Sequence, residues 1–410
     1  MKTINTDLLS FNVLAKPDKD FFKIVQANAK FKTLKDVIMT KVGINNFYNF
    51  SIAIKSTIVL RDILLNSQFV SGWARSSQVL NSTDSKFSVY KFFNKNEEET
   101  AAWIKTMEDL EQRGHSMDNM RSMIWLGSMT EFAMSIDLLH LVYLALVLDS
   151  IASALDEKNE ALKAETSFFL EKISSLLSDE YEVNFKDYSS MLNDAFRDFN
   201  AVDSPKSASL ADITQEKVFS INATYSVVGQ VWRHRTVVKR YAQDTYSEVV
   251  ETSKSLTAGY DFNEIELHKE IADNVKKMTT EAEDIYSLVQ GSIVAIQFSG
   301  TIGAIHKMLC QRTCYINDSP QFKDAFELFK SSYPELKLLP PCKLNSTSTN
   351  SCYVSYVNES RRKNEEKTQV PCPVYCKARG YKEDFCKAFE SAKTQWYLEN
   401  LDYWKKSLSN

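Results

Sequence analysis

Glycine and proline are scarce in this chain, ten and eight among 410 residues, which points to long helices joined by few tight turns. Cysteine is absent from the first three quarters. All seven, Cys310, Cys314, Cys342, Cys352, Cys372, Cys376 and Cys386, fall in the last. An odd number confined to one end argues against the disulfide framework of a secreted protein, so a reducing, cytoplasmic compartment is expected. Asn-x-Ser/Thr triplets such as the one at Asn222 are then chance matches. The most membrane-like run is "LLHLVYLALVL", residues 138–148, bracketed by Asp137 and Asp149. As a helix it rises only about 16 Å, roughly half a bilayer core, and reads as a buried helix with no membrane partner. The first residues hold no apolar core of signal-peptide length. Charge is nearly balanced, with a net of −4, and gives no general affinity for nucleic acid.

The apolar fraction of 44% and charged fraction of 25% are those of an ordinary globular protein, long enough for two or three domains. Helical stretches are expected at 96–113, 117–155, 158–178, 263–290 and 298–315, the first opening with Asn96 as a cap before three glutamates. Residues 49–59 and 217–228 are rich in β-branched and aromatic side chains and read as strands. The segment 201–209 has loop composition. Two signals repeat in the same order. Phe50-Ser51-Ile52 returns 169 residues later as Phe219-Ser220-Ile221, and Gly127-Ser128 returns 164 residues later as Gly291-Ser292. Nearly equal offsets suggest a tandem duplication with small indels. The expected fold is therefore α+β and helix-rich: two repeated modules, each with a small antiparallel sheet and long helices, plus a cysteine-containing C-terminal extension. The expected bounds are 1–157, a helical connector at 158–208, 209–345 and 346–410.

One stretch concentrates positive charge. "GQVWRHRTVVKRY", residues 229–241, carries Arg233, His234, Arg235, Lys239 and Arg240 directly after a strand-like run. Its "QVWRHRT" resembles the signature of the flavin-dependent thymidylate synthases, Q-L-V-R-H-R-x-x-S-x-N-E-x-S-x-R-Y. "LCQRTCYIND" (309–318) and a later Pro341-Cys342 resemble that family's downstream helix and Pro-Cys. The first half is similar through other residues. "LLNSQFVSGWARSSQV" (64–79) sets Asn66-Ser67-Gln68 over Arg-His-Arg but keeps serines at Ser71 and Ser76, and "WLGSMTEF" (125–132) resembles L-P-L-G-T-x-T-E-F.

The resemblance implies binding of FAD by Arg233, His234 and Arg235. It implies a deoxyuridylate-type nucleotide held by Gln230, Ser71, Arg75, Ser76, Gln78 and Arg312, with folate and NADPH as co-substrates. In the family the Arg-His-Arg segment of one subunit faces the serine segment of another. The halves here have lost complementary parts, which implies a composite site and a dimer of two-module chains. Two family features are missing: the pyrimidine-orienting Arg, whose position reads Asp318, and the upstream His. A non-catalytic nucleotide- or flavin-binding relative is the alternative. A nucleic-acid-binding basic loop ranks last, because only Trp232 and Tyr241 flank the cluster. Cys372-x-x-x-Cys376 with Cys342, Cys352 and Cys386 offers enough thiolates for a structural zinc site, but no C-x-x-C pair occurs and buried free thiols are the commoner outcome, so no metal ligand is assigned. His140 reads as a satisfied core residue, and His115, His268 and His306 show no partner pattern.

Overall fold

The computed structural model describes residues 4–18, 49–66, 71–74, 87, 90–115, 117–189, 208–213, 216–231, 234, 237–265, 267–313 and 320–339. The fold is α+β, with long helices and two antiparallel four-stranded sheets. The first sheet comprises β1 (Ser10–Ala15), β2 (Asn49–Thr57), β3 (Ser71–Ala74) and β4 (Met129–Asp137), in the order β1-β2-β4-β3. Helix α1 (Ile58–Asn66) leads from β2 towards β3, and α2 (Glu97–Gln112) precedes β4. Helices α3 (Leu138–Ala154) and α4 (Glu160–Tyr181) follow. The second sheet repeats the order as β5-β6-β8-β7, from β5 (Ala208–Ile213), β6 (Glu216–Thr224), β7 (Val238–Tyr241) and β8 (Ile293–Gly300). Between its strands run α5 (Tyr225–Val231), α6 (Tyr246–Gly259) and α7 (Lys269–Thr280). Both sheets belong to one compact unit ending at Gly300.

Period-two alternation decides which face of each sheet is core. Phe50, Ile52 and Ile54 are buried on β2 and lie directly opposite Ile136, Met134 and Phe132 of β4. On the second sheet Phe219 and Ile221 oppose Phe298 and Ile296, and the two phenylalanine rings stack at 5.5 Å. Each such side chain removed from water contributes about 1.5–3 kcal/mol. The apolar run at 138–148 is α3, buried on several sides and packed along α4. Among the described residues no helix is long and apolar enough to cross a membrane. Helix α2 starts with the expected cap: the Asn96 side chain accepts from Glu99 N–H at 2.8 Å, and Glu99 returns the bond at 3.0 Å.

Two expected helices are corrected. Residues 129–137 within 117–155, and 293–300 at the edge of 298–315, are the central strands β4 and β8. Strand β6 is shorter than expected: it ends at Thr224, and α5 begins at Tyr225.

Register gives the offsets between the two sheets. Thr57 pairs with Met129, and Thr224 with Ile293. The first strands therefore match at 167 residues (Thr57 to Thr224) and the later ones at 164 (Met129 to Ile293). The Phe-Ser-Ile match at 169 is two residues out of step: Phe219 occupies the place of Ile52. A slip of two keeps every side chain on its face, so alternation alone could not detect it.

The two sheets meet where Trp125 bridges Val289, residues related by the 164 offset. Leu126 N–H donates to Leu288 O at 2.8 Å, and Gln290 N–H to Ile124 O at 2.9 Å. Gly127 N–H donates to Tyr286 O at 3.0 Å, and Gly291 N–H to Ser122 O at 2.8 Å. Each bond has its mirror under the same offset. These close crossings explain both glycines: a Cβ at Gly127 would lie 2.7 Å from Asn94 Oδ1, and one at Gly291 would lie 2.9 Å from Ser122 Cβ.

A second compact unit takes in Ser76–Ser85 and the chain from Thr301, which caps α8 (Ile302–Arg312). There His306 stacks on Phe329 of α9 (Lys323–Ser332), with ring centroids 5.7 Å apart.

Candidate functional site

The signature segment joins α5 to β7. Arg233, Arg235 and the Gln230 side chain lie outside the described residues, as do Arg75, Ser76, Gln78 and the side chain of Ser71. His234 is described and partly buried. Its N–H donates to Val231 O at 2.9 Å, continuing the turn that ends α5. Lys239 and Arg240 are not part of a solvated charge run. They sit on β7, where Lys239 is buried and Arg240 Nε donates to Gln297 Oε1 at 3.0 Å. Backbone pairing relates β3 and β7. Ser71 of β3 pairs with Ser135 as Val238 of β7 pairs with Ser299, which sets Asn66-Ser67-Gln68 over Arg233-His234-Arg235. Arg312 is buried at the end of α8, in the second compact unit.

The sheet face beside the signature segment carries the most informative chemistry. Ser220 of β6 lies opposite Gln297 of β8, and Gln297 opposite Arg240 of β7; Ser299 is two residues along the same face. Ser220, Gln297 and Ser299 are each 2% exposed. Yet Ser220 Oγ, Gln297 Nε2 and Ser299 Oγ make no hydrogen bond among the described residues. A buried polar group left without a partner costs about 1–3 kcal/mol, so three on one face call for a ligand or ordered water. Together with the Arg240 guanidinium, they offer donors suited to carbonyl or phosphate oxygens. The first sheet lacks this set: Ala53, Ala133 and Ser135 stand at the matching positions, all of them partly exposed. These residues lie on the beat opposite Phe219 and Ile221, and their burial there was not read from the sequence.

A second polar group lies between α1 and α5. Arg61 and Asp62 are buried as a pair, with Arg61 Nε and Nη2 at 2.8 and 2.7 Å from Asp62 Oδ1. A Cβ on Gly229 would come within 3.3 Å of Asp62 Oδ2, so the small residue lets the two helices close. Burial pushes the phenols of Tyr225, Tyr241 and Tyr246 above their ordinary range, keeping all three as neutral donors. Nearby, Glu165 of α4 is wholly buried. It accepts from Thr57 N–H and Thr57 Oγ1, both at 2.7 Å, and from the Tyr286 hydroxyl. Burial lifts its pKa to about 7, against the opposing effect of those hydrogen bonds.

An open cleft of about 600 Å³ lies elsewhere, lined by Glu157, Glu160, Glu251, Glu281, Glu283 and Asp284 against Lys158 and Lys254. Its acidic lining repels phosphate, and no signature residue borders it. Of the histidines, His140 is satisfied as expected, with Nδ1 2.5 Å from Asp137 Oδ2. Cys310, the one cysteine among the described residues, is buried.

No model of a known protein family matches the chain, and no curated protein matches it significantly.

Proposed function

We propose that this chain is a tandem-duplicated relative of the flavin-dependent thymidylate synthases. In this reading the second module binds FAD and a deoxyuridylate-type nucleotide, and the first has become its scaffold. One observation carries the reading: the three buried, unpartnered polar atoms lie on the sheet that adjoins the Arg-His-Arg segment, and the matching face of the other sheet lacks them. The duplication is supported by the common strand order, the 167 and 164 offsets, and the mirrored hydrogen bonds around Trp125 and Val289.

Both ligands are anionic and rich in carbonyl oxygens. Arg233 and Arg235 supply fixed cations for pyrophosphate, and His234 lies against the flavin. Gln230 and Gln297 supply amides for a pyrimidine edge, and the serines Ser220 and Ser299 supply hydroxyls. By the resemblance, Ser71 and Arg75 of the first module add to the nucleotide's surroundings. The flavin supplies hydride chemistry and the folate the carbon unit, with NADPH as reductant. The protein's own residues bind, orient and exclude water.

A non-catalytic role is the second reading, favoured by Asp318 at the position of the family's pyrimidine-orienting Arg. Two measurements separate the readings. Visible absorbance of the purified chain in the flavin bands, lost in Arg233→Ala, supports binding. Tritium release from C5-labelled deoxyuridylate then distinguishes catalysis from binding alone. A colourless protein that takes up no added flavin overturns the first reading and favours the second.

A further inference from the structure

Away from the signature segment, the end of α2 and the start of α7 bring together two imidazoles and a carboxylate. Local sequence explains each placement. Gly114 follows α2 at φ +85°, a left-handed conformation that glycine adopts without strain. The chain reverses there, and His115 N–H reaches back to Leu110 O at 3.1 Å, the long bond of a Schellman cap. His268 caps α7: its Nδ1 accepts from Glu270 N–H at 3.3 Å. Glu270, in the first turn of α7, extends its carboxylate towards both histidines.

The geometry is that of a ligand set. His115 Nε2 is 3.1 Å from Glu270 Oε2, close to the roughly 3.3 Å edge of a tetrahedron with metal–ligand bonds of about 2.0–2.1 Å. The imidazoles meet edge to face with centroids 4.4 Å apart, and one ligand atom from each of the three residues lies within 4.8 Å of the others. Arg113 donates to Glu270 Oε1, which orients the carboxylate and turns Oε2 towards His115, as outer partners do in metal centres. The Nδ1 lone pair of His268 is engaged only by the long cap bond, which an ion would replace.

We propose that His115, His268 and Glu270 bind a divalent transition metal of the zinc class, clamping the end of α2 to the start of α7. Two imidazoles and one carboxylate select zinc, cobalt or nickel over calcium and magnesium, and leave a fourth position for water. Arg113 and the positive end of α7 oppose the ion's charge, so the ion exchanges readily and a chelator removes it. The site ties residues 155 positions apart in the chain, and occupancy should therefore raise the unfolding temperature.

Titration of chelator-treated full-length protein with Co2+ tests this. The expected result is one equivalent with visible d–d absorption of nitrogen and oxygen ligation, displaced by Zn2+, and a rise in unfolding temperature. His115→Gln and His268→Asn should each weaken that uptake roughly tenfold or more. Asn keeps a capping oxygen for α7, so His268→Asn spares the fold. Uptake unchanged in both variants, no uptake at all, or a spectrum showing thiolate charge transfer alone would overturn the proposal.

Discussion

Replacing Ser220 and Ser299 by alanine should make the ligand-free protein more stable and the ligand-binding protein worse. Both hydroxyls are 2% exposed and form no hydrogen bond among the described residues. Each therefore carries a desolvation cost of about 1–3 kcal/mol that alanine does not, against the loss of a single atom's packing. We expect a gain of about 1 kcal/mol for each substitution. The pair should gain slightly less than the sum, because the two sites share neighbours. In a unit of this size that corresponds to about 2–4 °C per kcal/mol in unfolding temperature. The assay is urea and thermal unfolding of protein stripped of small molecules, followed by FAD and deoxyuridylate titration of the same samples. Binding should weaken at least tenfold while stability rises. A loss of 1 kcal/mol or more without ligand would mean that the hydroxyls are already satisfied, and the reasoning for this face would fail.

Three further outcomes test the frame. Gly291→Ala should destabilise by about 1–3 kcal/mol, since its Cβ would meet Ser122 Cβ and Val275 Cγ2 at 2.9 Å; Gly303→Ala, with nothing within 4 Å, should gain about 0.5–1 kcal/mol on α8. Equal effects in denaturant melts would refute the close crossing. Glu165 has a folded pKa of about 7 against 4.5 for a free carboxyl, so the folded state holds the proton more tightly. Its contribution is then complete below about pH 4.5 and lost as pH rises towards 7, on the order of 3 kcal/mol, a slope that Glu165→Gln should remove from a pH series of unfolding free energies. Asn96→Ala, which breaks the capping box of α2, should cost about 1 kcal/mol in the same melts.

Much of the frame was legible in the residues. Asn96 with Glu99 marked a helix start, and the alternation in "NFSIAIKST" marked a strand. The recurring Gly-Ser marked the two close crossings at Gly127 and Gly291. Strands β4 and β8 were misread because "MTEFAMSID" and "IVAIQFSG" run directly into apolar helices, so short-range propensity blurs the boundary. The correct offset needed the hydrogen-bond ladder, since a two-residue slip leaves the pattern of faces unchanged. The Arg-His-Arg segment stood out by charge. The polar face below it stood out only once pairing showed that Ser220, Gln297 and Arg240 share one row. His115 and His268 could not be joined from sequence, because no local spacing relates residues brought together by a Schellman turn and a distant helix cap.

The most direct test of the central claim is equilibrium titration of the purified chain with FAD, in the presence and absence of deoxyuridylate, alongside Arg233→Ala and Gln297→Leu. Saturable flavin binding that the nucleotide strengthens, and that both variants abolish while keeping native circular dichroism, is the predicted result. Absence of binding, or binding equal in all three proteins, would contradict it.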